Sequence, residues 1–81
     1  MKPLTELFAG EFAYIVDLRD HAVCKDFFEM GCFPGDLIKV LENNPRKESM
    51  KISCKNFEFP IYKKEAKKVI TNVVSYEINL N

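Results

Sequence analysis

The apolar positions of this chain change period several times, and each change marks an element. Residues 3–8 set Leu4, Leu7 and Phe8 behind Pro3, the spacing of a single helical turn, and Gly10 ends it. Phe12–Leu18 then alternates, with Ala13 and Ile15 on one face and Phe12, Tyr14 and Val16 on the other. Both faces are apolar, which predicts that the second is covered by the opening turn or by the tail. Asp20 stands where a helix N-cap is expected. Residues 22–30 follow with Val23, Phe27 and Met30 on one stripe, widened by Cys24 and Phe28, while Lys25, Asp26 and Glu29 face water. Gly31 falls where helices close in a left-handed conformation, and Phe33-Pro34-Gly35-Asp36 reads as a turn.

Beyond the turn the period is two. Leu37–Glu42 predicts a strand with Ile38 and Val40 inward, and residues 43–49 a polar loop. Residues 50–54 and 57–61 both alternate cleanly and are joined only by Lys55-Asn56, where asparagine tolerates the positive φ of a tight turn. The expectation is an antiparallel hairpin that places Met50, Ile52, Cys54, Phe57, Phe59 and Ile61 in the core. Pro60 cannot donate to a ladder, so its strand is expected at an edge or at a bulge. Residues 63–68 suit a helical turn, and strand composition returns at Val69.

In the tail, Val69, Thr71 and Val73 hold one alternation phase and Val74, Tyr76, Ile78 and Leu80 the opposite one. A one-residue slip turns every side chain to the other face, so the strand must bulge or end near Val73. The later stripe is expected to cover Phe12, Tyr14 and Val16, or to pair with another chain's edge and give weak self-association. The order of elements predicts one mainly-β domain over residues 1–81. It is a small barrel of about five strands with one medium helix and short helical turns, residues 72–81 forming an added strand.

Composition narrows the function classes. Apolar residues at 47% and charged residues at 30% belong to an ordered globular domain. The 12 basic and 12 acidic side chains cancel, which argues against a duplex-binding protein, since phosphate contacts supply most of such affinity. No apolar run approaches the roughly eighteen residues that span a bilayer, and the amino terminus lacks an apolar signal core. With 3 cysteines and no C-x-x-C pair, the chain suits a reducing compartment. A cytoplasmic protein is expected.

Candidate chemistry is sparse. His21 and Cys24 lie three apart on one helix face and are weak metal candidates, because a structural zinc site presents four ligands in close pairs. The same pair is the only thiol–imidazole neighbourhood, and no orienting group or glycine-rich phosphate loop accompanies it. Neither catalysis nor a cofactor is expected. Lys63, Lys64, Lys67 and Lys68 form a basic cluster that reads first as a solvated face and second as a contact for an acidic or phosphate surface. Alternation turns Phe57 and Phe59 inward, leaving only Tyr62 and Tyr14 as stacking platforms for nucleic acid. Around the helix end, Phe27 and Phe28 are adjacent and cannot share a direction. Phe28 or Phe33 is therefore expected at the surface as an interaction anchor.

The matching residues Leu4, Leu7, Gly10, Ala13, Ile15 and Leu18 continue through Phe27-Phe28-Glu29-Met30-Gly31, Pro34-Gly35, Ile38, Val40, Pro45 and Glu65-Ala66 before Val69. In this order and spacing the chain resembles the FeoA family from about Leu4 to Thr71. The resemblance implies an SH3-like barrel that assists FeoB, a membrane protein with a cytosolic GTPase domain that moves ferrous iron. The assistance is by protein contact, which would recruit the chain to the inner face of the plasma membrane. It also departs from the family: Cys24, Lys25 and Asp26 stand where helix positions are often basic, and Ile61-Tyr62 replaces a Leu-Arg ending. A similar domain closes metal-dependent repressors of the DtxR type, but no winged-helix region precedes the barrel here, so the free-standing adaptor is expected. The expected partner-contact set is Lys25, Phe28, Cys32, Phe33 and Pro34. The rival functions are a small nucleic-acid-binding barrel and a metal-sensing or metal-carrying protein.

Overall fold

The computed structural model describes residues 1–74, so the expectations placed on Tyr76, Ile78 and Leu80 lie outside the described residues. Strand β1 (Lys2–Pro3) leads into a 3-10 turn (Leu4–Glu6), then β2 (Phe12–Leu18) and helix α1 (His21–Glu29). Strands β3 (Leu37–Glu42), β4 (Ser49–Cys54) and β5 (Phe57–Tyr62) follow, and a short helix α2 (Lys63–Ala66) precedes β6 (Val69–Val73). All pairings are antiparallel, in one 6-stranded sheet ordered β1-β6-β2-β3-β4-β5. The strand beyond the expected number is the two-residue β1, too short to leave a periodic signal.

One core fills the inner face of this sheet. It takes Leu4 and Leu7 from the opening turn, Ala13 and Ile15 from β2, Val23 and Phe27 from α1, and Ile38 and Val40 from β3. Met50, Ile52, Cys54 and Ile61 come from the β4–β5 hairpin, with Ala66 and Val69 closing the far side. Phe8, grouped with Leu4 and Leu7 by spacing, points outward at 74% exposure. The 3-10 turn ends at Glu6, and residues past it no longer follow helical phase.

The β4–β5 hairpin has the expected register, Ile52 opposite Phe59 and Met50 opposite Ile61. Lys55 (φ 50°) and Asn56 (φ 70°) both take left-handed backbone, the geometry that matches a two-residue turn to strand twist. One core assignment fails: Phe57 is 65% exposed. It shares a face with Ile61 but pairs Cys54 beside the turn, at the end of the outermost strand, where no further element covers it. Phe59 is half-buried and meets Phe27 edge-on, ring centroids 6.0 Å apart. Pro60 lies on the edge strand, as its missing N–H requires.

β6 ends at Val73, where the alternation phase changes, and the Val74 N–H still bonds the Phe12 carbonyl at 2.8 Å. The register slip lies on the partner strand: β2 skips Val16 between Ile15 and Asp17. Buried Thr71 is satisfied by donating its hydroxyl to the Lys2 carbonyl at 2.8 Å. Ile52 is fully buried between its β3 and β5 neighbours. Ile52→Ala should cost about 2–5 kcal/mol through lost transfer energy and a cavity. Urea denaturation checks this, and a cost below about 0.5 kcal/mol would show that the face is wrongly assigned.

Candidate interaction site

The site is built on the way α1 begins and ends. The Asp20 carboxylate caps the helix, accepting from the N–H groups of Ala22 (3.0 Å) and Val23 (3.2 Å), and its other oxygen takes the Lys68 ammonium at 2.9 Å. At the far end Gly31 adopts φ 76°, its N–H bonds the Phe28 carbonyl at 3.1 Å, and the Cys32 N–H bonds the Phe27 carbonyl at 2.8 Å. This is the Schellman closure, in which the residue after the glycine packs against the last buried position of the helix. Phe27 and Cys32 accordingly meet in the core.

Residues one step further along both segments then face outward together. The Phe28 and Phe33 rings lie 5.0 Å apart, inclined at 54°, and are 48% and 42% exposed. The turn beneath them is closed on itself. The Phe33 N–H bonds the Asp36 carboxylate at 2.8 Å, and the Asp36 N–H returns to the Phe33 carbonyl at 2.9 Å. Lys55, from the hairpin tip, locks the arrangement from the other side. Its ammonium bonds the Gly31 carbonyl at 2.8 Å, sits 3.1 Å from the Asp36 carboxylate, and lies 5.2 Å from the centre of the Phe33 ring. The N–H of Phe33, then Lys55, hold the Asp36 carboxyl below its ordinary pKa.

The sequence of the FeoA domain matches residues 2–72. The chain belongs to the FeoA family. A solved structure described as the iron uptake regulatory protein FeoA is 29% identical, over 90% of this chain and 96% of that one, with a TM-score of 0.79. The FeoA protein of Chlorobium tepidum is 23% identical over 99% of this chain and 76% of its own, with a TM-score of 0.83. A manganese-dependent transcriptional repressor shares the fold at a TM-score of 0.80, with 11% identity over 90% of this chain and 41% of its own. No curated protein matches the sequence significantly. The small barrel expected from the residues, SH3-like as the resemblance implied, is thus the fold of this iron-transport family.

Of the expected contact residues, Phe28, Phe33, Pro34 and Lys25 are exposed, with Phe28 against Phe33 and beside Lys25. Cys32 is not: it is fully buried, so it supports the turn from below and cannot touch a partner. Burial, and then a hydrogen bond with Cys32, push the Cys54 thiol up to about 12, so Cys54 remains an inert thiol at neutral pH. His21 and Cys24 share a shallow depression with Lys25, Phe28 and Glu29. Among the described residues no group of three or more His, Cys, Asp or Glu side chains is placed to hold a metal ion. The basic cluster is partly occupied within the protein, since Lys68 pairs with Asp20 and the Lys63 ammonium bonds the Asn44 carbonyl.

The sequence pattern did not reveal Lys55 and Asp36 as parts of the site. Each is an ordinary turn residue locally, and only the folding of the hairpin against the helix end joins them.

Because the Asp36 pKa is depressed in the folded state, its stabilisation is present above the ordinary aspartate range, near about 3.9. It is lost as pH falls through the lower folded-state value. Asp36→Asn should therefore melt below the wild type at neutral pH, with the difference shrinking as pH falls below the ordinary aspartate range and Asp36 becomes protonated in the folded state. Thermal melts of both proteins across pH 2–7 read this directly, and a pH-independent difference would refute the ionic role.

Proposed function

We propose that this protein is a non-enzymatic, cytosolic accessory factor of ferrous-iron uptake that binds the cytosolic face of a FeoB-type GTPase transporter. The observation that carries this reading is the Phe28–Phe33 pair, two large apolar rings held at the surface by a turn that is bonded at every corner. Aromatic side chains dominate interface hot spots, and anchors already fixed in place lose little conformational entropy on binding. Lys25 and Pro34 extend the surface on either side of the rings. Membership of the iron-transport family supplies the partner class.

The nucleic-acid alternative is weaker. Phe57 does offer an exposed ring, but the basic cluster starts at Lys63, at the opposite end of β5. That ring is roughly 17–20 Å from the cluster. Tyr62 is exposed beside it, with the Lys64 ammonium 5.7 Å from its ring centre, but a lone ring is a narrow platform and Lys63 and Lys68 are bonded within the protein.

Binding to the isolated cytosolic GTPase domain of a FeoB-type transporter tests the proposal. Phe28→Ser and Phe33→Ser should each weaken association at least about tenfold, as removal of an interface anchor does, while shifting the melting midpoint little. Lys25→Glu, on the exposed helix surface, should weaken binding without any folding defect. Unchanged affinity in all these variants would overturn the reading, as would failure of the wild type to bind.

A further inference from the structure

On the other flank of α1, away from Phe28, a groove runs between the helix and the edge strand β5. It has a volume of about 290 Å³ and is lined by Val23, Phe27, Met30, Phe59, Pro60 and Ile61, with Asp26, Glu29 and Glu65 along its borders. The floor is apolar: Phe27 and Phe59 meet edge-on, and Ile61 is only 6% exposed. The borders carry a single sign of charge. Asp26 and Glu29 stand on the helix bank and Glu65 on the opposite bank at α2, and none of them forms an ion pair among the described residues. Elsewhere on this neutral chain, Asp17, Asp20, Asp36 and Glu58 are each paired with a lysine or arginine.

We propose that this groove is a second docking site, independent of the Phe28–Phe33 surface, for a partner segment that presents one apolar side chain flanked by lysine or arginine. The size of the groove suits a side chain rather than a larger small-molecule ligand. Carboxylates on both banks around a greasy floor would reward cations on both sides of that side chain and disfavour acidic sequences. The occupant does not enter as an added strand opposite Pro60, which has no N–H to offer the ladder. Nor is it the basic run of a second copy, since Lys63 and Lys68 of that run are engaged with Asn44 and Asp20.

The test uses the full chain and a fluorescent pentapeptide with a central leucine flanked by two lysines on each side. Two control peptides replace either the lysines by glutamate or the leucine by serine. Anisotropy should show binding of the first peptide only, weakening as salt rises. Asp26→Lys and Glu65→Lys, on opposite banks, should each weaken it at least about tenfold with an unchanged melting midpoint. Glu42→Lys makes the same change of net charge on β3, outside the groove, and should leave binding intact. Backbone amide shifts should map to α1 and β5. The proposal is overturned if the leucine peptide does not bind, if the serine peptide binds equally well, if Glu42→Lys weakens binding as much as Asp26→Lys, or if the shifts map elsewhere. None of these outcomes depends on the FeoB-type partner, so the proposed transporter contact stands or falls separately.

Discussion

The hydrogen bond from the Cys32 N–H to the Phe27 carbonyl organises this molecule. It forms only because Gly31 turns the chain through a left-handed conformation that L side chains rarely adopt. Once made, it fixes the phase of everything on either side. Phe27 and Cys32 go into the core, so Phe28 and Phe33 come out, and Pro34-Gly35 delivers the chain into β3 with Ile38 and Val40 inward. A helix end that frayed by one residue would lose both the buried contact and the surface pair.

Lys55 connects that closure to the rest of the sheet. It is 24 residues from Gly31 in sequence, yet it bonds the carbonyl that the glycine leaves free. A lone exposed ion pair contributes little. Here the ammonium also bonds a backbone carbonyl and faces a ring, and the carboxylate it meets is already oriented by a backbone N–H. The β4–β5 hairpin is thereby tied to the helix end at its tip and to β3 along its length, which gives the edge strand β5 a defined position beside α1. The groove lies between them.

Much of this was legible in the residues. Asp20 as N-cap, Gly31 as helix stop, the Lys55-Asn56 turn, the β4–β5 register and the end of β6 at Val73 all follow from local rules of hydrogen bonding and backbone conformation. The misassignments share a different cause. Alternation tells which face Phe57 takes but not how far the core extends along an edge strand, and the core stops short of it. Cys32 sits among exposed turn residues in sequence, and only the Schellman bond turns it inward. Lys55 and Asp36 belong to separate turns, so no window of sequence contains their contact. Local signals therefore gave the scaffold of the candidate site, while its polar clamp depended on tertiary proximity.

The helix itself explains why a domain this small can present separate surfaces. Over nine residues, α1 buries one stripe through Val23 and Phe27. Successive helical positions are rotated by about 100°, so Phe28 lies on one side of that stripe and Asp26 on the other. One flank is thereby apolar and aromatic, completed by the turn at Phe33; the other is acidic, completed by β5 and Glu65. The buried stripe runs between them on the inner side of the helix, and Glu29 borders both on the outer side. If both flanks engage a common partner, the second contact becomes intramolecular and its effective concentration is set by geometry rather than by bulk abundance. Two individually modest contacts would then hold such a complex together, and release of either would loosen it.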